Sequence, residues 1–332
     1  MRKVFIAALG VLMLSSVAVV RAQTAPLLNW KLATGYRAES FHGLNLQEFV
    51  RDVDAVSKGA LKIGLFPNNT LAKLNEIRAG VEGGKMEAGE TIMSSMVKEM
   101  PLAGADSVPF VVSSYSDAQR LWKLQRPLIE KTFTKRGLKV LYAVPWPPQG
   151  LYSKKAITGP QDFKGGKMRT YNQTTQRIAE MLGASGVDVP MVDVGKALAE
   201  GRMDSMITSA VTGVENKVWG EMKHYYEINA WFPKNIVFVN SKAFDALAAP
   251  VQRGVLEAAK TAETRGWAMS EKAALDSTNE LKANGVKVER IPRDVEANLK
   301  RMGEKFSREW VGSVGNDAND VFIPYYFQNN SK

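Results

Sequence analysis

Short apolar runs alternate with amphipathic stretches along most of the chain. The run NWKLATGY, residues 29–36, has the spacing typical of a strand. From about residue 43 to residue 58, apolar side chains recur at helical spacing and place Leu46, Phe49 and Val53 on one face. The pattern therefore predicts an amphipathic helix directly after a first strand.

The same alternation continues along the rest of the chain. Further strands are predicted at 61–67, 86–94, 138–146, 150–157, 168–171, 187–191 and 203–209 and within 228–244. Further helices are predicted at 71–84, 116–137, 174–182, 192–202 and 249–283. Short strands separated by helices indicate an α/β fold with largely parallel sheets. At about 1.5 Å per residue, the last helix would be roughly 50 Å long and could contact two lobes.

Length and composition agree with this fold class. A chain of 332 residues suits about two domains. Its content of 45% hydrophobic and 23% charged residues is ordinary for a globular protein, so a sizeable core can form.

The first 22 residues follow a different pattern from the rest. Arg2 and Lys3 precede a short apolar run, and VRA at 20–22 provides a small-residue cleavage pattern. The run is too short for a spanning helix, and no other segment is apolar enough to cross a bilayer. We therefore predict a signal peptide, residues 1–22, cleaved after Ala22, and an exported, soluble mature protein.

Cysteine content and net charge exclude several kinds of site and indicate the charge of the ligand. The sequence has no cysteine, which excludes disulfides, thiolate metal sites, a cysteine nucleophile and a lipid-modified cysteine anchor. An exported protein of this kind fits the bacterial periplasm. The net charge is +10, and loss of Arg2, Lys3 and Arg21 with the signal peptide leaves +7, which favours anionic ligands. Basic residues are dispersed and not interleaved with aromatics, which argues against nucleic acid binding.

Catalytic patterns are not found in the sequence. His42 and His224 lie far apart, with no carboxylate pattern around them that would indicate a triad or a metal site. An exported hydrolase would require an activated serine, such as Ser94 or Ser209, close to a histidine. We predict a protein that is not an enzyme and has no cofactor and no metal site.

Arg169 is the residue that points to recognition. It follows the glycine pair of FKGGKMR and ends a short predicted strand, from which a side chain can enter a cleft. The planar guanidinium fork matches a carboxylate, a geometry that lysine does not reproduce. From these residues alone, an exposed loop arginine and an anion-binding arginine are equally consistent with the pattern.

Two segments resemble the extracytoplasmic solute-binding proteins of TRAP transporters, the DctP-like family. DFKGGKMR at 162–169 and MLGASGVDVPMVDVGKALAEGRMDS at 181–205 resemble that family's signature region. The matching positions are Pro160, Asp162, Gly165, Lys167, Arg169, Gly183, Ala184, Pro190, Met191, Ala197, Leu198, Gly201 and Asp204. Residues 57–89 and SVPFVV at 107–112 extend the resemblance over nearly the whole mature chain.

The resemblance implies a two-lobed periplasmic-binding-protein fold with hinge strands and a long helix that braces both lobes. The expected lobe I contains residues 23–146 and about 235–270, and lobe II contains 147–234 and about 271–332. It also implies delivery of an organic acid to a TRAP-type membrane permease. An ABC-type or a sensor-coupled periplasmic binding protein is the alternative, and we expect a monomer.

The resemblance also implies that Arg169 binds the ligand carboxylate and that Thr208 provides a polar contact where an asparagine is common. A second arginine that some members place after the first lobe crossing is missing, and Gln149 lies in that region. A single arginine favours a monocarboxylate, or a hydroxy or keto acid, over a compact dicarboxylate.

Aromatic and polar residues complete the predicted site. Trp146, Tyr171 and Trp231 are candidates for an apolar or aromatic part of the ligand, whereas Phe232 is assigned to core packing. The remaining polar candidates are Glu90, Thr91, Ser94 and Asn235.

Overall fold

The structure, a computed structural model, describes residues 28–329, so the predicted signal peptide lies outside the described residues. The strands are β1 (Leu28–Thr34), β2 (Leu61–Phe66), β3 (Ala88–Ile92), β4 (Leu138–Pro145), β5 (Gly150–Ser153), β6 (Lys167–Thr170), β7 (Ser185–Asp188), β8 (Ser205–Thr208), β9 (His224–Tyr226), β10 (Lys234–Asn240) and β11 (Lys287–Glu289). The helices are α1 (Phe41–Val56), α2 (Ile77–Glu82), α3 (Tyr115–Thr134), α4 (Gln173–Met181), α5 (Val194–Ala199), α6 (Ala210–Glu215), α7 (Ser241–Asp245), α8 (Ala249–Ala283), α9 (Arg293–Val314) and α10 (Asn316–Asn329).

The strands form two sheets, which confirms the predicted α/β fold. The first has the order β2-β1-β3-β10-β4, with β1 parallel to β2 and β3 and with β10 antiparallel to β3 and β4. The second has the order β11-β9-β5-β8-β6-β7, with β5 antiparallel to β8 and β9 and the other pairs parallel. The antiparallel strands β5 and β10 are those by which the chain enters a sheet after crossing from the other.

The two crossing segments, after β4 and before β10, are bonded to each other. The Trp146 backbone N–H donates to the Pro233 carbonyl at 2.7 Å, and the Gln149 N–H donates to the Trp231 carbonyl at 3.0 Å. Buried backbone N–H and C=O groups need hydrogen-bond partners, and here the two crossing segments pair with each other. The pair corresponds to the expected hinge strands.

Helix α8 contacts elements of both sheets, as its length predicted. Its 35 residues pack against α1 and β4 and, farther along, against α6 and β11. At Gly266 an added Cβ would lie 2.4 Å from Val144 Cγ2, so only glycine allows the helix to approach β4 this closely. The long helix therefore braces both halves of the fold.

Four buried clusters cover the faces of the two sheets. Along β10 the side chains alternate as a strand requires: Ile236 and Phe238 join one cluster, and Val237 and Val239 join the cluster on the opposite face. In the second sheet, Met168 of β6 is buried within a cluster, so the next residue, Arg169, points to the opposite face of the sheet.

No helix within residues 28–329 combines the length and apolarity needed to cross a bilayer.

The C-terminal helix differs in packing from the sequence expectation. The predicted lobe II included residues 271–332, but Phe322 and Tyr325 of α10 are buried in a cluster with α3 on the first sheet. The Tyr325 hydroxyl donates to the Val111 carbonyl at 2.8 Å, and the Arg120 guanidinium lies 4.6 Å from the Tyr325 ring centroid. The sequence pattern did not predict this helix, and local spacing cannot show which lobe covers its apolar face.

The helix predicted at 71–84 is also shorter in the structure, because α2 covers Ile77–Glu82. Asn68 and Asn69 both have positive φ, at 56° and 58°, which interrupts regular structure after β2. The Asn69 side-chain oxygen accepts from the Leu74 N–H at 3.0 Å and stabilises a loop instead of a helical turn.

Candidate ligand-binding site

A cavity of about 530 Å³ lies between the two sheets, bordered by the hinge. Most of its walls come from residues at or just after the carboxyl ends of strands, the usual position of ligand sites in α/β sheets. The lining residues are Gly35, Tyr36, Asn69, Lys73, Leu74, Asn75, Ile92, Ser95, Trp146, Gln149, Arg169, Tyr171, Asp188, Pro190, Met191, Val192, Asp193, Thr208, Ser209, Thr212 and Pro233. This volume falls within the range of about 300–1,000 Å³ found for small-molecule sites.

Arg169 projects into this cavity from β6, which is an inner strand between β7 and β8. Gly165 has a φ of 74°, a conformation that favours glycine, and its N–H donates to the Gly183 carbonyl at 2.8 Å. This turn leads the chain into β6. The Arg169 side chain is 2% exposed, and its Nε donates to the Val189 carbonyl at 2.9 Å.

Arg169 forms no ion pair within residues 28–329, and the Asp188 carboxylate acts on it only at longer range. Its guanidinium carbon lies 5.0 Å from the Tyr171 ring centroid, and neither Nη atom donates to a group in the described part of the chain. Burial lowers the pKa of Arg169 to about 10, which still leaves the group cationic at neutral pH. A desolvated cation with free donors facing a cavity is arranged to bind an anion.

Gln149 and Tyr171 form one hydrogen-bonded unit beside this arginine. The Tyr171 hydroxyl donates to Gln149 Oε1 at 3.1 Å, and Gln149 Nε2 donates to the Pro147 carbonyl at 2.9 Å. Burial raises the pKa of Tyr171, so its hydroxyl stays protonated and able to donate. Both residues line the cavity, and Gln149 also fixes the orientation of Tyr171.

Trp146 lines the cavity and Asn235 supports it from behind. The Trp146 Nε1 donates to Asn235 Oδ1 at 2.8 Å. The Trp146 ring lies 5.1 Å from the Tyr36 ring and 4.4 Å from the His42 ring, measured between centroids. The indole is therefore held in a fixed orientation as a wall of the cavity, whereas Asn235 does not line it.

The end of β8 brings two neighbouring hydroxyl residues to the cavity. Thr208 Oγ1 donates to Thr212 Oγ1 at 2.9 Å, so this predicted contact is already engaged within the protein. Ser209 is fully buried, and its Oγ has no hydrogen-bond partner within the described range. Thr208, the residue that the sequence pointed to, lines the cavity, and Ser209 beside it has the hydroxyl without a partner in the described residues.

Glu90, Thr91 and Trp231 do not line the cavity, although all three are buried. Glu90 accepts from the Thr34 hydroxyl at 2.6 Å, and Thr91 Oγ1 donates to the Leu74 carbonyl at 3.2 Å. Trp231 belongs to the cluster under the second sheet. These three side chains are used for packing and internal hydrogen bonds.

Ser94 and Phe232 also lie away from the cavity wall. Ser94 Oγ accepts from Asn172 Nδ2 at 3.0 Å, a contact between residues that follow strands of different sheets. Phe232 is buried in the cluster on the first sheet, in agreement with its assignment to the core.

Sequence reasoning missed Tyr36, which lines the cavity just beyond the end of β1. Burial is the main cause that raises its pKa, and the nearby Glu90 carboxylate adds to the effect, so the hydroxyl stays neutral. The sequence contained a signal for Tyr36, because the residues at the ends of parallel strands and directly after them converge at one edge of the sheet, and Tyr36 is the last residue of the first predicted strand. Asn69 and Met191 follow β2 and β7 and line the cavity for the same reason.

An exported hydrolase would require a histidine close to Ser94 or Ser209. Neither histidine of the chain lines the cavity, and both lie within the described range. His42 lies behind Trp146, with Nδ1 3.3 Å from a Glu90 carboxylate oxygen, and His224 lies on β9 with Nδ1 3.1 Å from Glu289. No group of three or more histidine, aspartate or glutamate side chains within residues 28–329 is arranged to hold a metal ion.

The geometry agrees with comparisons to known proteins. Residues 32–311 match the family model of DctP, described as bacterial extracellular solute-binding protein, family 7. The chain is similar to DctP6 of Bordetella pertussis, an extracytoplasmic solute receptor binding pyroglutamic acid, with 35% identity, a TM-score of 0.88 and coverage of 90% of this chain and 99% of that one. A marine metagenome TRAP solute-binding protein specific for pyroglutamate is similar at 34% identity, with a TM-score of 0.88 and coverage of 91% and 99%.

A relative of lower identity is the 2,3-diketo-L-gulonate-binding periplasmic protein YiaO of Escherichia coli. It is 24% identical, and the match covers 80% of this chain and 78% of that protein. The resemblance inferred from the signature region is thus confirmed over most of the chain. The protein belongs to the bacterial extracellular solute-binding proteins of family 7, the DctP family that includes the TRAP extracytoplasmic solute receptors.

Proposed function

We propose that this protein is a periplasmic receptor that captures a small cyclic monocarboxylate, with pyroglutamate as the first candidate, and delivers it to a TRAP-type permease. It acts as a monomeric binding protein without catalysis, cofactor or nucleic acid partner. The signal peptide is cleaved after Ala22, a step that mass spectrometry of the exported protein would test directly.

The observation that carries this proposal is the buried, unpaired guanidinium of Arg169. Its two Nη groups face the cavity without an acceptor from residues 28–329, and a carboxylate fits that fork in a bidentate manner. Ser209 adds a free hydroxyl at the same cavity. A ligand carboxylate would therefore satisfy donors that the folded chain leaves open.

The ligand class follows from the rest of the lining. Among the described lining residues the basic side chains are Arg169 and Lys73, and Lys73 is exposed. Tyr36, Trp146 and Tyr171 supply flat surfaces that suit a compact ring. One buried cation with aromatic walls supports a monocarboxylate, and the two similar receptors at 34% and 35% identity bind pyroglutamate.

Capture requires closure of two lobes over the cavity. We assign residues 23–146 and about 235–270 to lobe I, and 147–234 and about 271–315 to lobe II, with α10 joined to lobe I because of its packing on α3. Ligand contacts that form with both lobes stabilise the closed state.

Isothermal titration calorimetry with L-pyroglutamate tests the proposal, after unfolding and refolding to remove copurified ligand. L-Glutamate is a matched control ligand, since it has the same carbon skeleton but an open chain, an amine and a second carboxylate. We expect clear binding of pyroglutamate, weak or no binding of glutamate, and a loss of at least tenfold in affinity for Arg169→Lys. Absence of pyroglutamate binding by the wild type, or unchanged affinity in the variant, would overturn the assignment.

A further inference from the structure

Arg37 joins segments of the two sheets next to the cavity, although it does not line the cavity itself. It lies between β1 and α1, next to Tyr36. Its Nη1 donates to the Glu215 carbonyl at 2.7 Å, and its Nη2 donates to the Val192 carbonyl at 3.2 Å and to Asn216 Oδ1 at 3.4 Å. All three acceptors lie in segments that follow strands of the second sheet.

The acceptors are held in place without help from Arg37. Asn216 accepts from the Gly195 N–H at 3.2 Å, and its Nδ2 donates to the carbonyls of Met191 at 3.1 Å and Thr212 at 2.9 Å. This side chain joins the turn after β7 to the end of α6. The last carbonyls of a helix lack intrahelical partners, so the end of α6 presents an open acceptor.

The residue type fits this set of acceptors. The guanidinium fork binds several acceptors at once in a fixed plane, whereas the compact ammonium of lysine does not cover the same set. The Glu215 carboxylate oxygen lies 3.7 Å from Nη1, farther than the Glu215 carbonyl, so the backbone acceptors carry the contact. Arg37 is about a quarter exposed, which keeps it accessible to water when the contact opens.

A second contact also joins segments of the two sheets. Asn172, which caps α4, donates from Nδ2 to Ser94 Oγ at 3.0 Å, and Ser94 follows β3 of the first sheet. Both contacts join segments of opposite sheets, so each requires that the two lobes are close together. The structure therefore represents a closed arrangement of the cleft.

We infer that Arg37 is a latch, a positioning residue that holds the lobes closed over the ligand without contacting the ligand. The inference rests on the proposed binding function and adds a kinetic role to it. Because the latch forms after the ligand has entered, its loss should mainly accelerate dissociation, and association should change little. Arg37 would thus set how long the receptor stays loaded.

Stopped-flow measurement of intrinsic tryptophan fluorescence with L-pyroglutamate tests the latch, since Trp146 lines the cavity. For Arg37→Ala we expect a dissociation rate at least tenfold higher, equivalent to about 1.4 kcal/mol, with an association rate within about twofold of wild type. Glu215→Gln keeps the backbone carbonyl and should raise the dissociation rate much less. Arg51→Ala is the matched control, because Arg51 is exposed and pairs with Glu48 on α1.

An unchanged dissociation rate in Arg37→Ala, with a wild type that binds pyroglutamate, would refute the latch and leave the proposed function intact. If the wild type does not bind pyroglutamate, the proposed function fails. The latch is then tested separately, by measuring the distance between the lobes in ligand-free protein. The chain has no cysteine, so spin labels at Ala79→Cys and Lys196→Cys, exposed on α2 and α5, report the distance between the lobes. The short distance should be populated less in the Arg37→Ala background, and identical distance distributions would overturn the latch.

Discussion

Replacement of Arg169 by glutamine should stabilise the ligand-free protein while it abolishes binding. Burial lowers the pKa of this guanidinium well below its ordinary value, to about 10. The difference corresponds to a penalty of roughly 3 kcal/mol for the cation in the folded protein. The amide of glutamine is uncharged and, although the side chain is shorter, does not carry that penalty.

Part of this gain is lost with the contacts that arginine makes. The bond from Nε to the Val189 carbonyl contributes about 1 kcal/mol, and the contact with the Tyr171 ring contributes about 0.5–1 kcal/mol. The net expectation for Arg169→Gln is therefore a free energy of unfolding about 1 kcal/mol higher than that of the wild type.

Urea unfolding at neutral pH, followed by circular dichroism on protein freed of copurified ligand, measures this difference. Arg51→Gln serves as the control, because Arg51 is exposed on α1 and carries no burial penalty. If Arg169→Gln is instead destabilised by more than about 2 kcal/mol, the charge of Arg169 is compensated inside the protein, and its free donors are not reserved for a ligand.

Three further predictions concern the hydroxyl at the cavity, a buried ion pair and pH. Ser209→Ala should weaken pyroglutamate binding roughly threefold to tenfold in calorimetry and leave the melting temperature unchanged, since its Oγ has no partner within residues 28–329. Asp106→Asn should lower the free energy of unfolding by about 3 kcal/mol or more in urea, because it leaves the buried Lys234 cation without its carboxylate 3.5 Å away; a neutral result would contradict the ion pair. Burial raises the pKa of Glu215 to about 7, while Arg37 opposes and Glu39 adds to the rise. The folded state therefore holds a proton that the unfolded chain releases, so stability should fall as pH rises from about 5 to about 8, and Glu215→Gln should remove that part of the dependence.

The sequence was sufficient for features that depend on local periodicity. Helix α8 begins and ends where its pattern predicted, and β4 lies within one residue of its expected bounds. Arg169 could be placed at the end of a short strand because the glycine turn and the resemblance point to the same position. Hydrophobic spacing determines which face of an element is buried, and these features require no more than that.

Features that depend on distant partners were not predictable in this way. Helix α10 was not predicted, and its contact with α3, about 200 residues away in sequence, leaves no periodic signal. The engagement of the Thr208 hydroxyl depends on Thr212, which lies one helical turn later and accepts its hydrogen bond. The three acceptors of Arg37 come from two separate segments, and only the folded chain brings them together.

The buried charge of Arg169 and the contacts of Arg37 act on closure in opposite directions when the cavity is empty. In the closed arrangement Arg169 is buried, and without a ligand anion its charge is offset only at longer range by the Asp188 carboxylate. The hydrogen bonds of Arg37 favour the closed state whether or not a ligand is bound. A ligand carboxylate neutralises Arg169 and removes the free-energy cost of its burial. The hydrogen bonds of Arg37 then add to a closed state that the ligand already favours. Closure is thereby coupled to the charge of the ligand, and a permease that recognises the closed form would be presented mainly with loaded receptor.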